Sequence, residues 1–323
     1  MKRTFALAPG VGLTVEAGGL PARHFAAEYG QGPQLSAPGV MRLRVGVVAR
    51  LADRRGDAHS FVGGHRLARW RVRAQLGADA TFVNCALQVA GPLGLPLVQS
   101  MVVEPLLSVA TAGAGRVLLP GALIDAADGP VLVLGASGTG KSTLALRALA
   151  AGRAVAADDQ LLVARDGACT GLSRRLRVYG DLPGVVPDAH VLLPVAIRRR
   201  VALADLVARL SGGRVSPPVL VSPAILAPDA SRPGRDMRPV RALLLVSGTA
   251  RARVSSDELV GCALGLLTEQ RARLVAAGVR PPAVTLERER AILESALGQL
   301  DAERVDIRRA AEPLGALERL VGA

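Results

Sequence analysis

Hydrophobic and polar residues alternate in short runs over the first third of the chain. Three such runs are "MRLRVGVVARL" (41–51), "RWRVRAQL" (69–76) and "ATFVNCALQVAG" (80–91), and turn-forming Gly, Pro and Asp residues separate them. A period of two residues is typical of strands that bury one face. The pattern therefore predicts a β-rich N-terminal domain over residues 1–105.

The pattern changes after about residue 116 to strands that alternate with a helix. The apolar runs "RVLLPGALI" (116–124) and "GPVLVLG" (129–135) come before the helix-forming "KSTLALRALAAG" (141–152), and "RAVAA" (153–157) follows it. Strands joined through helices indicate an α/β arrangement. We therefore expect an α/β fold, with a catalytic domain over residues 106–323 beside the β-rich N-terminal region.

The composition indicates a globular protein. The chain has 323 residues, of which 50% are hydrophobic, and charged residues, Gly or Pro interrupt every long apolar run. We therefore expect no membrane span. The 3 cysteines lie far apart, and the 4 histidines are never four residues apart or beside a cysteine. The pattern therefore favours a reducing cytoplasm without disulfide bonds or a histidine metal site.

The formal net charge of +13 raises nucleic acid as a partner. Aromatic residues make up only 2% of the chain, however, so side chains that could stack on bases are scarce. Nearly all of the positive charge is arginine, because Lys2 and Lys141 are the only lysines. Nucleic acid is therefore not the expected partner. Because Lys141 is the one lysine away from the start of the chain, the residues around it are the place to look for a motif that needs a lysine.

A glycine-rich motif surrounds this lysine. Gly135, Gly140, Lys141 and Ser142 fill the pattern G-x-x-x-x-G-K-[ST], with a strand before it and a helix after it. In such a loop, backbone N–H groups and the lysine bind the phosphates of ATP and the hydroxyl holds Mg²⁺. The predicted nucleotide-binding residues are Gly135, Ala136, Ser137, Gly138, Thr139, Gly140, Lys141, Ser142 and Thr143. A glycine-rich turn without a ligand is the alternative.

A second motif, "LSGGR" (210–214), is similar to the signature of transporter ATPases. Those motors need an apolar strand ending in Asp-Glu soon afterwards, but "RVSPPVLVSPAILAPD" follows here. We therefore interpret "LSGG" as the loop that ends a helix.

Two adjacent acids, Asp158 and Asp159, follow the strand after the phosphate-binding helix. Phosphoryl transfer to a hydroxyl needs a ligand for the metal and a carboxylate that accepts the proton, so two acids could share these tasks. Neighbouring residues of a regular strand point to opposite faces, so both can serve only if the backbone leaves strand geometry there. Otherwise one acid belongs to the site and the other to a surface turn.

The segment "GASGTGKSTLALRALAAGRAVAADD" and the later "RPGRD" (232–236) resemble the C-terminal catalytic domain of HPr kinase/phosphorylase and its smaller relatives, the HPr-kinase-like serine kinases. The resemblance covers about residues 117–246. It implies a P-loop core of the PEP-carboxykinase-like type, in which Lys141 and Ser142 bind ATP and Mg²⁺. It also implies that Asp158 is the catalytic base, that Asp159 lies near the metal and that Arg235 is an active-site cation.

The chain departs from this family at three places. Pro120 precedes Gly121 where the family has a His-Gly pair, and Thr143 stands where the bifunctional enzymes have an acid. The segment 177–186 is only a loose counterpart of their glycine-rich signature. These departures argue against HPr as the acceptor and against phosphorylase activity.

The leading hypothesis is an ATP-dependent, Mg²⁺-requiring kinase that phosphorylates a hydroxyl, such as a serine of a protein or peptide. The β-rich region would help to recognise that acceptor, and a homo-oligomer is compatible with the sequence. The alternatives are a small-molecule kinase and a nucleotide-binding interaction protein that has lost its chemistry. The segment "SRPGRDMRP" (231–239) is expected to form a mobile loop that carries Arg235, with a merely basic surface loop as the alternative.

Overall fold

The structure of the chain is a computed structural model. It describes residues 2–306 except 31–38, 52–59, 66–67, 78, 80, 92–93, 173, 227–235 and 249–250. It is a mixed α/β protein, as the sequence predicts at the level of fold class.

The chain divides into two compact units that each use separate stretches of sequence. The first unit comprises Met1–Leu119, Leu162–Ala168 and Val260–Gln299, and the second comprises Pro120–Leu161, Cys169–Leu259 and Leu300–Ala323. The assignment of continuous domains to residues 1–105 and 106–323 stays a prediction.

The strands in the described residues are β1 (Lys2–Ala8), β2 (Val11–Ala17), β3 (Gly39–Val48), β4 (Ser60–His65), β5 (Ala68–Leu76), β6 (Val83–Ala90), β7 (Arg116–Pro120), β8 (Ala122–Ala126), β9 (Gly129–Gly135), β10 (Val155–Ala157), β11 (Gln160–Ala164), β12 (Cys169–Gly171), β13 (Leu176–Val178), β14 (Val219–Val221), β15 (Asp236–Met237), β16 (Arg241–Leu245), β17 (Ala252–Val254) and β18 (Asp301–Val305).

The α-helices in the same residues are α1 (Gly19–Tyr29), α2 (Leu95–Val98), α3 (Glu104–Thr111), α4 (Lys141–Ala150), α5 (Leu182–Val185), α6 (Pro187–Leu192), α7 (Val195–Leu210), α8 (Pro223–Leu226), α9 (Ser256–Ala276) and α10 (Ala283–Leu297). A π-helical turn, Gln99–Val103, joins α2 to α3.

The first unit contains a six-stranded sheet with the strand order β1-β2-β3-β6-β5-β4. Val45, Leu87 and Val72 are cross-strand neighbours on three adjacent strands, and all are buried. The helices α1 and α3 pack against these strands. Polar and small residues alternate with the buried ones, so the opposite face of the sheet stays exposed, as the period of two predicts.

A buried ion pair joins distant parts of the first unit. Arg271 of α9 and Glu289 of α10 are both almost fully buried, and Arg271 Nη1 donates to Glu289 Oε2 at 2.8 Å. Arg271 Nε donates to the Ser108 hydroxyl of α3 at 2.7 Å. Because each charged group is paired and hydrogen-bonded, the burial does not leave an isolated charge.

Residues Leu95–Ala114 are, within the part of the chain that the structure describes, the one helical segment long and apolar enough to cross a membrane. Most of this segment is buried inside the structure, as in the core helix of a soluble protein. It is therefore weak evidence for a span, and the structure is compatible with the expectation of none.

The second unit contains another six-stranded sheet, with the order β10-β8-β9-β16-β18-β17. The strands β9, β16 and β18 run parallel, with Gly135 opposite Leu245 and Leu245 opposite Val305. Leu144, Ala145 and other residues of α4 pack against the apolar side chains of β8 and β9. The carboxyl ends of the three parallel strands therefore lie at one edge of the sheet, where α/β proteins commonly bind ligands.

Candidate functional site

A glycine-rich loop connects β9 to α4 at this edge of the sheet. Gly138 and Gly140 have φ angles of 82° and 105°, a left-handed region that side chains other than glycine rarely adopt. Gly135 is required for another reason, since a Cβ there would lie 2.6 Å from Thr139 Oγ1 and 2.8 Å from the Leu245 carbonyl oxygen. The backbone conformation therefore requires glycine at two of these positions, and close packing requires it at the third.

Lys141 is the first residue of α4, and its side chain folds back over the loop. The residue is 9% exposed. Its Nζ donates hydrogen bonds to the Gly135 carbonyl at 2.5 Å and to the Ala136 carbonyl at 2.9 Å. The ammonium group is thus held against the glycine-rich loop of the predicted phosphate-binding motif.

The remaining predicted nucleotide-binding residues lie on the loop and on the first turn of α4. Ala136, Ser137 and Gly138 are exposed, while Ser142 and Thr143 are half-buried. Thr139 donates through its hydroxyl to the Ala136 carbonyl at 2.9 Å, which tightens the turn. A helix that begins in such a loop offers backbone N–H groups to an anion, because its first N–H groups have no partner within the helix.

Asp158 and Asp159 lie in a bend between β10 and β11. The backbone leaves regular strand geometry at both residues, the condition under which two adjacent acids can face one site. The Asp158 residue is 8% exposed, whereas the Asp159 side chain is 36% exposed. The two acids therefore have different environments.

Two arginines that sequence reasoning did not single out contact Asp159. Arg174 Nη1 lies 2.8 Å from Asp159 Oδ2, and Arg177 Nη1 lies 3.8 Å from the same atom. The Arg174 side chain is only 4% exposed. The sequence signal for these arginines was the run "RRLR" (174–177), which follows the strands β11 and β12 that come directly after the acids.

The two carboxyl groups have opposite pKa shifts. Burial, together with the neighbouring Asp159 charge, raises the pKa of Asp158 to about 7. Burial also acts to raise the pKa of Asp159, but the charges of Arg174, Arg177 and Lys141 outweigh it and hold the pKa of Asp159 below its ordinary value. Asp159 is therefore ionised at neutral pH, and Asp158 is poised to exchange a proton there.

Pro120 and Gly121, which stand where the HPr-kinase-like enzymes have a His-Gly pair, precede a backbone contact with these acids. The Gly121 N–H donates to the Asp159 carbonyl oxygen at 3.0 Å. A Cβ at Gly121 would lie 2.9 Å from a Leu161 methyl group and 3.0 Å from one of Leu134. The glycine of the pair is therefore required by close packing, while Pro120 brings no titratable group to the acids.

The structure thus brings three of the predicted site residues together. Lys141, Asp158 and Asp159 share one electrostatic environment in the second unit, with Arg174 and Arg177 added to it. Arg235, the predicted active-site cation, lies outside the described residues. The following residue, Asp236, accepts a hydrogen bond from the Thr170 hydroxyl.

Substituting Arg174 should destabilise the protein more than the same substitution of Arg177. Arg174→Gln removes a buried, charge-assisted hydrogen bond and should cost about 1–3 kcal/mol of unfolding free energy. Arg177→Gln removes a longer, more exposed contact and should cost less than about 1 kcal/mol. Urea unfolding of both variants measures the difference.

A double-mutant cycle of Arg174→Gln with Asp159→Asn isolates the pair. A coupling energy near zero would show that the contact between the two side chains contributes nothing, whatever each single variant costs.

The raised pKa of Asp158 should make the ligand-free protein less stable as the pH rises. The folded protein binds a proton at Asp158 that the unfolded chain has released between about pH 4 and pH 7, so stability is lost across that window. We expect a decrease of about 1–3 kcal/mol between pH 5 and pH 8. Thermal unfolding in the presence of a chelator measures it.

Asp158→Asn is the control, since the amide does not titrate. The unfolding free energy of this variant should decrease less than that of the parent over the same pH range. The difference between the two decreases is the contribution of the Asp158 carboxyl. Parallel curves for the two proteins would show that the carboxyl has no raised pKa.

A scan against protein-family models finds no match for this chain, and a search of the curated proteins finds none either. The class of site therefore has to be inferred from its own residues.

Proposed function

We propose that the second unit is an ATP-dependent phosphotransferase with an HPr-kinase-like, P-loop core. It would transfer the γ-phosphate of ATP to a hydroxyl group, such as a serine of a protein or peptide. The loop Gly135–Gly140 and the first turn of α4 would hold the phosphates through backbone N–H groups. Lys141 would exchange its two loop carbonyls for phosphate oxygens.

The observation that carries this proposal is the environment of Asp158. A general base works best when its pKa lies near the working pH, and burial beside Asp159 raises the pKa of Asp158 to about 7. Asp159, the next residue in the chain, interacts electrostatically with Lys141 of the glycine-rich loop. The proton acceptor Asp158 is thus coupled through Asp159 to a phosphate-binding cation, and phosphoryl transfer to a hydroxyl requires both kinds of group.

The residues present fit a magnesium ion held together with a nucleotide. Magnesium prefers oxygen ligands and commonly uses one or two protein side chains beside the phosphates and water. The Ser142 hydroxyl and the Asp159 carboxylate are such ligands, and both arginine contacts of Asp159 are with Oδ2. Bound Mg²⁺ would supply neutralisation of phosphate charge. Described residues include no cluster of three or more His, Cys, Asp or Glu side chains that could hold a metal without a nucleotide.

The acceptor step follows from the chain's own groups. Asp158 would take the proton of the acceptor hydroxyl, while Lys141 and Arg174 provide positive charge around the transferring phosphate. Arg235 stays a predicted further cation. The Pro120 and Thr143 departures favour an acceptor other than HPr and transfer in the forward direction only.

One observation favours the non-catalytic alternative, a nucleotide-binding interaction protein. Asp159 is already neutralised by Arg174, so a metal ion would have to compete with a guanidinium group for that carboxylate. A protein that only binds nucleotide can tolerate this competition, whereas a kinase has to resolve it during each cycle.

Mass spectrometry of the protein with ATP, Mg²⁺ and serine-containing candidate acceptors tests the proposal. A gain of one phosphate on a protein or peptide supports it. ATP binding without any transfer or ADP release supports the interaction protein, and phosphate on a sugar acid or similar metabolite supports a small-molecule kinase.

The proposed location is the cytoplasm, where ATP is available and thiols stay reduced. Cys85, Cys169 and Cys262 form no disulfide bond, which suits this location. A homo-oligomer stays a prediction.

A further inference from the structure

The helix α7 carries apolar side chains on the side that faces away from the core of the second unit. Its Val201 and Ala204 are buried in that core. An α-helix has about 3.6 residues per turn, so residues three, four and seven positions apart lie on the same side of it. A row of apolar residues with this spacing lies on the exposed side. We call it the apolar face of α7, and it consists of Val195, Ala202, Leu203, Leu206 and Leu210.

The side chains of this face are unusually exposed for apolar residues. Val195, Leu203 and Leu206 are each more than half exposed, and Leu210 is 80% exposed. Single apolar residues are common on protein surfaces, but a continuous apolar surface marks a place where a partner binds. The spacing along α7 makes this row continuous, so we expect a partner to cover it.

Arginines lie within and beside the apolar face. The helix has four arginines and one acid. By the same helical spacing, Arg199 lies in the apolar row and Arg200 lies at its border, and both are exposed. The acid, Asp205, is already paired, because its Oδ2 lies 2.6 Å from Arg209 Nη2. No described acid forms an ion pair with Arg199 or Arg200. The face is therefore positively charged, and an anionic partner complements it.

A second copy of the chain does not complement this charge. It would bring the same four arginines to the contact, together with an acid that is already paired with Arg209. Like charges brought together oppose association. The excess of arginine on α7 therefore argues against a dimer through this helix.

The position of Arg199 distinguishes a lipid surface from a groove on another protein. Because Arg199 lies within the apolar row, a protein groove that covered the row would also bury its guanidinium group. Burying a charge is costly unless a fixed partner of opposite charge meets it. A lipid interface avoids this cost, because a long arginine side chain can extend from apolar surroundings to the phosphate groups.

We propose that the apolar face of α7 binds the surface of a membrane that contains anionic lipids. The helix lies in the plane of the interface, with its leucines at the outer ends of the acyl chains and its arginines at the lipid phosphates. The contact is peripheral and is not a membrane span. It does not depend on the phosphotransferase activity proposed for the second unit. Lipid binding is measured without ATP, so the failure of either proposal leaves the other intact.

The test is flotation of the whole protein with vesicles made of phosphatidylcholine and phosphatidylglycerol in equal parts. Vesicles of phosphatidylcholine alone should bind it at least tenfold less tightly, and salt should weaken binding to the mixed vesicles. Leu206→Gln with Leu210→Gln removes apolar surface without changing charge and should weaken binding at least tenfold. Arg199→Gln with Arg200→Gln keeps the leucines and should also weaken it at least tenfold.

The matched controls make the same kinds of substitution at exposed residues of other helices. They are Val275→Gln with Leu286→Gln, on α9 and α10, and Arg23→Gln with Arg290→Gln, on α1 and α10. Both pairs should change the affinity for mixed vesicles less than twofold, and circular dichroism checks that every variant folds.

Several results would overturn the proposal. These are equal losses in the control pairs, equal binding to neutral vesicles, no binding to the mixed vesicles, or displacement from them by a Glu-rich amphipathic peptide. A dimer that dissociates in Leu206→Gln with Leu210→Gln would assign the face to a second copy and would overturn it as well.

Discussion

Lys141→Ala should reduce ATP affinity at least 100-fold. Lys141 is one of two lysines in the chain, and its ammonium group is held against the carbonyls of Gly135 and Ala136. With the side chain removed, no other lysine can reach the β and γ phosphates from this position. Calorimetric titration with ATP and Mg²⁺ measures the loss.

Lys2→Ala is the matched control. Lys2 has the same side chain but is 60% exposed and lies on β1 of the first unit. Its substitution should leave ATP affinity unchanged. If Lys141→Ala also binds ATP normally, the glycine-rich loop is not a phosphate site.

Asp158→Asn should reduce phosphate transfer by about 100- to 10,000-fold while ATP affinity changes only a few-fold. The amide keeps the shape of the side chain but cannot accept a proton, and positioned bases contribute effects of this size. In the parent protein, kcat/KM should rise with pH through about 7, because the ionised form of Asp158 is the active one. Single-turnover assays with labelled ATP separate transfer from binding.

Asp188→Asn provides the comparison, since Asp188 is an exposed residue in the first turn of α6. It should transfer phosphate at the parent rate. Asp159→Asn should instead raise the Mg²⁺ concentration needed for half-maximal transfer. Normal transfer in both Asp158→Asn and Asp159→Asn would mean that the acid pair is structural.

Local features of the fold could be predicted because they depend on nearby residues. The helix from Lys141 ends before Gly152, which has the left-handed φ of 75° that its position predicts. A turn at Asp166 and Gly167 joins the neighbouring strands β11 and β12, as an Asp-Gly pair predicts, and Gly167 has a φ of 81°. The "LSGG" segment ends α7, as expected from the prolines that follow it.

The electrostatics of the site could not be predicted in the same way. Arg174 reaches Asp159 only after the chain has formed β11 and β12 and turned back. The raised pKa of Asp158 depends on its burial in the folded chain, which no spacing in the sequence reveals. Sequence reasoning therefore found the acids, the loop and Lys141, but not the two arginines that help to hold Asp159 ionised.

The buried hydrogen bond between Arg271 and Ser108 has a consequence for folding during synthesis. The two residues are 163 positions apart in the chain, and both belong to the first unit. At synthesis rates of about 5–20 residues per second, Ser108 waits roughly 10–30 seconds on the ribosome for its partner. During that time the apolar segment Leu95–Ala114 lacks the helices α9 and α10 of its own unit. The nascent chain should therefore depend on chaperones until α9 and α10 emerge.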